Sequence, residues 1–123
     1  WVVHGSDGTD EISITGETYV VELDEGNINE FKINPKDAGL KICNFSEILG
    51  GSPKFNAQKI QHLVNGEKNG FFQSVVLNSA AALTISEKVK TLQDGVQLAS
   101  DALLSGKTSE LIKNLKTSKT SLS

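Results

Sequence analysis

The chain has 123 residues and a formal net charge of −3, enough length for one domain with a core of its own. It contains no arginine, and no lysine run is interleaved with its few aromatics, which excludes the electrostatic footprint of a nucleic-acid binder. Its one cysteine, Cys43, cannot close an internal disulfide and reads as a lone buried thiol. No apolar run reaches the length of a membrane span, so the cytoplasm is the expected compartment.

Val2 and Val3 read as the end of a buried strand, which drops into a loop containing Gly5 and Gly8 and then two adjacent acids, Asp10 and Glu11. Ligands in α/β proteins collect beyond the carboxyl ends of strands. Two hard oxygen donors there suit magnesium, which takes one or two carboxylates and leaves its other positions to water and phosphate oxygens. Side chains on a strand alternate, so a joint site at neighbouring residues requires irregular backbone, which the glycines permit. From spacing alone, most such pairs are solvated acids of a loop or a first helical turn. His4, with no nucleophile or acid partner nearby in sequence, is expected to make a structural hydrogen bond. No Ser-His-Asp or Cys-His constellation is present, so no residue is assigned as catalytic.

Residues 17–35 alternate as a hairpin. Tyr19, Val21 and Leu23 share one face of the first arm, with Val20 and Glu22 on the other, and Asn29, Phe31 and Ile33 carry the buried face of the return arm. Asp24-Glu25-Gly26-Asn27 supplies the turn, with Gly26 suited to positive φ, and Pro35 ends the ladder. The spacing of oxygen donors in this stretch excludes an EF-hand. A turn-rich stretch follows over 38–51, with a single helical turn expected over 45–49.

Ser52 and Pro53 form a helix start, N-cap followed by proline at the first position, and Gly66 is a natural stop. Phe55, Ile60, Leu63 and Val64 mark the inner stripe, which leaves His62 as an exposed polar residue. Residues 71–85 are apolar nearly all round and predict the most buried helix, with Ala80, Ala81 and Ala82 allowing close approach of a neighbour. Asn78 within it needs a partner and reads as a structural amide capping a nearby loop. Thr91 and Asp94 open another helix as a capping box with Asp in place of Glu. Its inner face is Val96, Ala99, Ala102 and Leu103, and Gly106 ends it. Residues 110–115 add an amphipathic turn or two, and 116–123 reads as a frayed polar tail.

Four segments in order resemble one known family. His4-Gly5-Ser6-Asp7-Gly8-Thr9-Asp10-Glu11-Ile12-Ser13 is similar to the "HGxDGxDEIS" segment of the anthranilate phosphoribosyltransferases, and residues 34–40 to their "xPxDxGL". Gly50-Gly51-Ser52-Pro53 with Asn56-Ala57 resembles "GGxPxxNA", and residues 76–83 resemble "LLNAAAAL". Two places depart from the pattern. Asn69-Gly70-Phe71-Phe72-Gln73-Ser74 replaces "GPxRD", and Ala38 stands where a larger apolar residue is common, so helix packing is expected to differ there.

The resemblance implies a fold class, α/β: the C-terminal portion of the α/β domain of a nucleoside phosphorylase/phosphoribosyltransferase-like fold, with a β-hairpin and several helices, over residues 1–115. It implies a magnesium-dependent transferase of tryptophan biosynthesis that moves phosphoribosyl from phosphoribosyl pyrophosphate to anthranilate, as a homodimer when full length. Asp10 and Glu11 would be its Mg2+ ligands. The chain has no methionine and opens on Trp1 inside an apparent strand, so it is expected to be a piece lacking the N-terminal half, inactive by itself. The alternative is a non-catalytic interaction module with the same fold.

Overall fold

The structure, a computed structural model, describes residues 1–118. Three antiparallel strands, β1 (Val2–Gly5), β2 (Thr18–Asp24) and β3 (Asn27–Ile33), form a sheet in chain order. Two 3-10 turns, Pro35–Ala38 and Phe45–Glu47, lead into four helices: α1 (Pro53–Val64), α2 (Gly70–Ile85), α3 (Leu92–Leu104) and α4 (Lys107–Ser118).

The hairpin closes through a two-residue turn in which Glu25 (φ 47°) and Gly26 (φ 85°) both adopt positive φ. That mirror-image turn matches the twist of the strands it joins. Leu23 then pairs with Ile28, and Thr18 with Ile33. Thr18, Val20 and Ile33 face inward and are buried, while Tyr19, Val21 and Leu23 face solvent. The expected division into two faces holds at the base of the hairpin, where Ile33 is buried and Phe31 half-buried, but Asn29 of the expected buried face is exposed. β1 corrects the expectation of a buried strand: Val3 packs against the core, but Val2 is 74% exposed. An antiparallel sheet covered on one side only must turn every second residue outward.

Caps set the helix boundaries. Asn34 and Asp37 cap the first 3-10 turn reciprocally: Lys36 N–H donates to Asn34 Oδ1 (3.1 Å) and Asn34 N–H to Asp37 Oδ2 (2.9 Å). Gly39, at φ 74°, ends that turn, so "xPxDxGL" is a turn-forming unit here and Ala38 fills its buried side. Ser52 caps α1 through Phe55 N–H, Asn69 caps α2 through Phe72 N–H, and Thr91 caps α3 through Asp94 N–H. The Thr91 hydroxyl also donates to Asp94 Oδ2 (2.7 Å), so the Asp side chain reaches the cap's hydroxyl instead of completing a capping box.

Helix α2 lies between two cores. Leu77 and Ala81 join Ile12, Ile14, Val20, Ile33 and Ala38 beneath the sheet. Phe72 and Val76 join Leu63, Ala99 and Leu103 among the helices. Such a position explains why α2 is apolar all round. A Cβ at Gly95 of α3 would lie 2.8 Å from both Cα and Cβ of Ala80, so these two small residues set the distance between α2 and α3. Truncating a fully buried side chain such as Leu77 to alanine would cost about 2–5 kcal/mol.

Two expectations about the helices are corrected. On α1 only Leu63 and Val64 are buried; Phe55 and Ile60 lie 43% and 44% exposed, because α1 packs through its C-terminal turn. Helix α4 is longer than a turn or two and includes residues 116–118 of the expected tail; residues 119–123 lie outside the described residues. His62 is exposed as expected, with Nδ1 2.9 Å from Glu67 Oε2.

Candidate functional site

The loop after β1 is organised by one carboxylate. Asp7 Oδ1 accepts from the Thr9 N–H (3.1 Å) and the Thr9 hydroxyl (2.7 Å), while Oδ2 accepts from the hydroxyls of Ser13 and Thr15 (2.7 Å each). Partial burial by itself would raise the Asp7 carboxyl. The hydroxyl bonds of Ser13, Thr15 and Thr9, joined by the Thr9 backbone bond, outweigh it and hold the group well below the usual carboxylate range. Gly5 is required beside this hub: a Cβ there would sit 2.5 Å from Asp7 Oδ1 and 2.7 Å from Thr9 Oγ1. Gly8, at φ 86°, completes the bend that brings Thr9 C=O back to Gly5 N–H (2.9 Å).

The far side of the acidic pair is held from α2. Ile12 N–H donates to Asn78 Oδ1 (2.9 Å), and Asn78 Nδ2 donates to Ile12 C=O (3.0 Å) and to Ser74 C=O (3.0 Å). Asn78 is thus the loop-capping amide the sequence suggests. Asp10 and Glu11 fall in a bend between the two fixed residues Thr9 and Ile12, the irregular backbone a joint site requires. Both are exposed, and among the described residues neither forms an ion pair; the two that occur are Lys32–Glu17 and His62–Glu67.

Glu11, Thr9 and Asn78 line a cavity of about 690 Å³, whose apolar wall includes Phe45, Ile48, Leu49 and Phe71. Asp10 is not among the lining residues. Among the described residues no cluster of three or more His, Cys, Asp or Glu exists that could hold a metal. A closed protein cage of zinc type is therefore not built here. Asp10 and Glu11 are two exposed carboxylates on a pinned loop, a residue type that suits magnesium completed by water and phosphate oxygens.

Loop 45–51, which forms the cavity wall, is fastened twice. Lys59 Nζ donates to Glu47 C=O (2.9 Å) and Leu49 C=O (3.1 Å), and the Glu47 carboxylate accepts from Asn44 N–H and Gly70 N–H (3.1 Å each). With the Asn69 cap, that last bond starts α2 without the proline and Arg-Asp pair found in "GPxRD". In "GGxPxxNA", Asn56 bonds back to Gly51 through both N–H (2.8 Å) and C=O (3.3 Å), fixing the approach to α1.

His4 is corrected. It lies on the solvent face of β1 opposite Tyr19, and among the described residues its imidazole has no hydrogen-bond partner. Strand alternation, which sends Val3 inward, turns His4 out. Cys43 is half-buried and accepts from Gln73 Nε2 (3.2 Å). Burial, with a smaller contribution from the Glu47 carboxylate, pushes its thiol up, the opposite of an activated nucleophile. The residue that sequence reasoning missed is Asp7. Asp-Gly-Thr is an Asx-turn signal that accounts for the Thr9 hydroxyl, but the other two hydroxyl partners, Ser13 and Thr15, lie six and eight residues on.

The model of the glycosyl transferase family, a/b domain, matches residues 1–109. An anthranilate phosphoribosyltransferase from Parvibaculum lavamentivorans is 44% identical over 115 residues, which are 94% of this chain and 34% of the relative. One from a Bradyrhizobium species is 42% identical with the same coverage. Among solved structures, anthranilate phosphoribosyltransferase from Saccharomyces cerevisiae in complex with PRPP and Mg is 25% identical with TM-score 0.88, over 98% of this chain and 35% of that one. The Thermus thermophilus enzyme is 34% identical with TM-score 0.82, over 92% of this chain and 33% of that one. The chain thus spans about a third of the length of the relatives it matches. On the family match over most of its length, with the fold it shares with these enzymes, the chain belongs to the glycosyl transferase family.

Proposed function

We propose that this chain is the part of an anthranilate phosphoribosyltransferase that holds the magnesium accompanying phosphoribosyl pyrophosphate, in the cytoplasmic synthesis of tryptophan. The observation that carries this reading is the acidic pair Asp10 and Glu11, which form no ion pair among the described residues and are set between residues anchored by Asp7 and by Asn78. The yeast enzyme solved in complex with PRPP and Mg supports the choice of ion.

The reaction is displacement of pyrophosphate at the anomeric carbon by the amine of anthranilate, with charge gathering on the leaving diphosphate. Magnesium, when bound, supplies stabilisation of that charge. The residues of this chain do the holding. Asp10 and Glu11 present the carboxylates, and the Asp7 hub keeps Thr9 in place on one side. Asn78 keeps Ile12 in place on the other. Such fixing limits the reorganisation left for the moment of reaction, which is how positioning contributes to rate. This chain spans about a third of the length of its relatives, so it is read as inactive by itself, and the intact enzyme is read as a homodimer.

Paramagnetic Mn2+ titrated into the chain, as a stand-in for Mg2+, tests the metal reading without requiring activity. Amide resonances of residues 9–12 should broaden first, and the double variant Asp10→Asn, Glu11→Gln should abolish the effect while leaving the rest of the spectrum in place. Broadening centred elsewhere, or unchanged in the double variant, overturns it.

A further inference from the structure

Strand β3 is an edge of the sheet: β2 pairs with it on one side, and among the described residues no strand lies on the other. The two-residue turn makes Asp24 and Asn27 a hydrogen-bonded pair. Alternation from there points the main-chain groups of Ile28, Glu30 and Lys32 away from β2. Outside the ladder none of these groups has a main-chain partner among the described residues. The edge carries no proline, and its register with β2 runs without a bulge. Its only guards are the charges of Glu30 and Lys32, both exposed.

Those two charges complement each other when β3 meets an antiparallel copy of itself about a two-fold axis at Phe31. Each Glu30 then lies opposite the other copy's Lys32, and the two residues exchange both N–H···O bonds. Moving the axis by one residue sets Glu30 against Glu30 or Lys32 against Lys32, which is destabilising. The half-buried Phe31 meets its counterpart across the axis, on the face where its ring already packs edge-on against Trp1. Pairing stops beyond Ile33, because Asp37 occupies both the Asn34 N–H and the Asn34 C=O (2.9 Å each). Lys32 keeps its bridge to Glu17 (3.1 Å), since an ammonium has three donors.

We infer that β3 is a self-pairing edge, through which two copies of this chain join about Phe31 into one continuous antiparallel sheet. A single strand pair is a small contact, so the dimer is weak and concentration-dependent. The inference does not rest on the function proposed above.

Sedimentation equilibrium of the chain across a range of concentrations tests this, and should show monomer and dimer. Raising the concentration should slow amide exchange at Glu30 and Lys32 while leaving Ile28, opposite the occupied Asn34, unprotected. Glu30→Lys and Lys32→Glu each set like charges opposite one another, and each should weaken the dimer by about tenfold or more. Mixed together, the two variants regain both unlike pairs and should form a one-to-one heterodimer. The double variant Glu30→Lys, Lys32→Glu should dimerise with itself. Both side chains are exposed, so every variant should keep the parent circular-dichroism spectrum. A chain monomeric throughout, a dimer indifferent to the single changes, added exchange protection centred elsewhere, or a mixture that does not pair overturns the inference.

Discussion

Asn78 and Ile12, 66 residues apart, exchange two hydrogen bonds: the amide oxygen takes the Ile12 N–H and the amide nitrogen gives to the Ile12 C=O. The side chain of a buried helix thereby acts as one rung of a strand ladder. It satisfies both main-chain groups of a loop residue whose own side chain is in the core. The loop bearing Asp10 and Glu11 is registered to α2 through this pair.

Asn78→Ala should cost about 1–3 kcal/mol, the penalty of leaving part-buried main-chain groups without partners. Urea denaturation reads the loss, and hydrogen exchange should show Ile12 deprotected well ahead of the β2–β3 ladder. An unchanged Ile12 exchange rate would mean that water replaces the amide without loss.

The Asp7 carboxyl has a folded pKa below its unfolded value, which is about 3.9 for a free aspartate. Its contribution to stability is therefore complete above that value and disappears as pH falls through the folded pKa. Asp7→Ala should be less stable than the parent at neutral pH, and the difference should shrink as pH is lowered from about 4 towards 2. Thermal midpoints of both proteins across that range check it; a gap that widens in acid would contradict the hub.

Gly95→Ala tests the α2–α3 crossing by its sign. At an exposed helical position the change would stabilise by up to about 1 kcal/mol. Here the added methyl meets the Ala80 backbone at 2.8 Å, and overpacking of that kind costs about 1–3 kcal/mol. The net effect should be destabilising, read as a lower thermal midpoint.

Lys59 ties two carbonyls of the 45–51 loop and lies over the rings of Phe55 (5.4 Å) and Phe71 (5.7 Å). Lys59→Met keeps the stem and removes the charge. It should raise amide exchange across residues 45–51 and cost about 1–3 kcal/mol. Lys59→Arg should recover part of the protection.

Local chemistry made much of this chain legible. Ser52 and Thr91 each cap a helix by reaching an amide three residues ahead, and Gly66 and Gly106 each sit at positive φ where a helix ends. Such signals act within one turn of backbone, so reading them needs no knowledge of the rest of the fold. The two faces of the hairpin followed from alternation alone. Asp10 and Glu11 were visible as adjacent acids after a glycine bend, and the motifs carrying them were specific enough to indicate the family.

Other features depended on which segments meet. His4 was expected to be bonded and among the described residues is not, because the uncovered side of an antiparallel sheet is decided by where the helices pack. Phe55 and Ile60 have the spacing of an inner stripe, but α1 touches the core only through its last turn, near Leu63. Asp7 became a hub only when the chain brought the Ser13 and Thr15 hydroxyls back to it. Sequence by itself determined the elements, their caps and the acidic pair, since these are set by residues a few positions apart. The tertiary structure alone decided that Asn78 would clasp Ile12, because the partner of a long-range hydrogen bond is selected by packing, and packing is a property of the whole core.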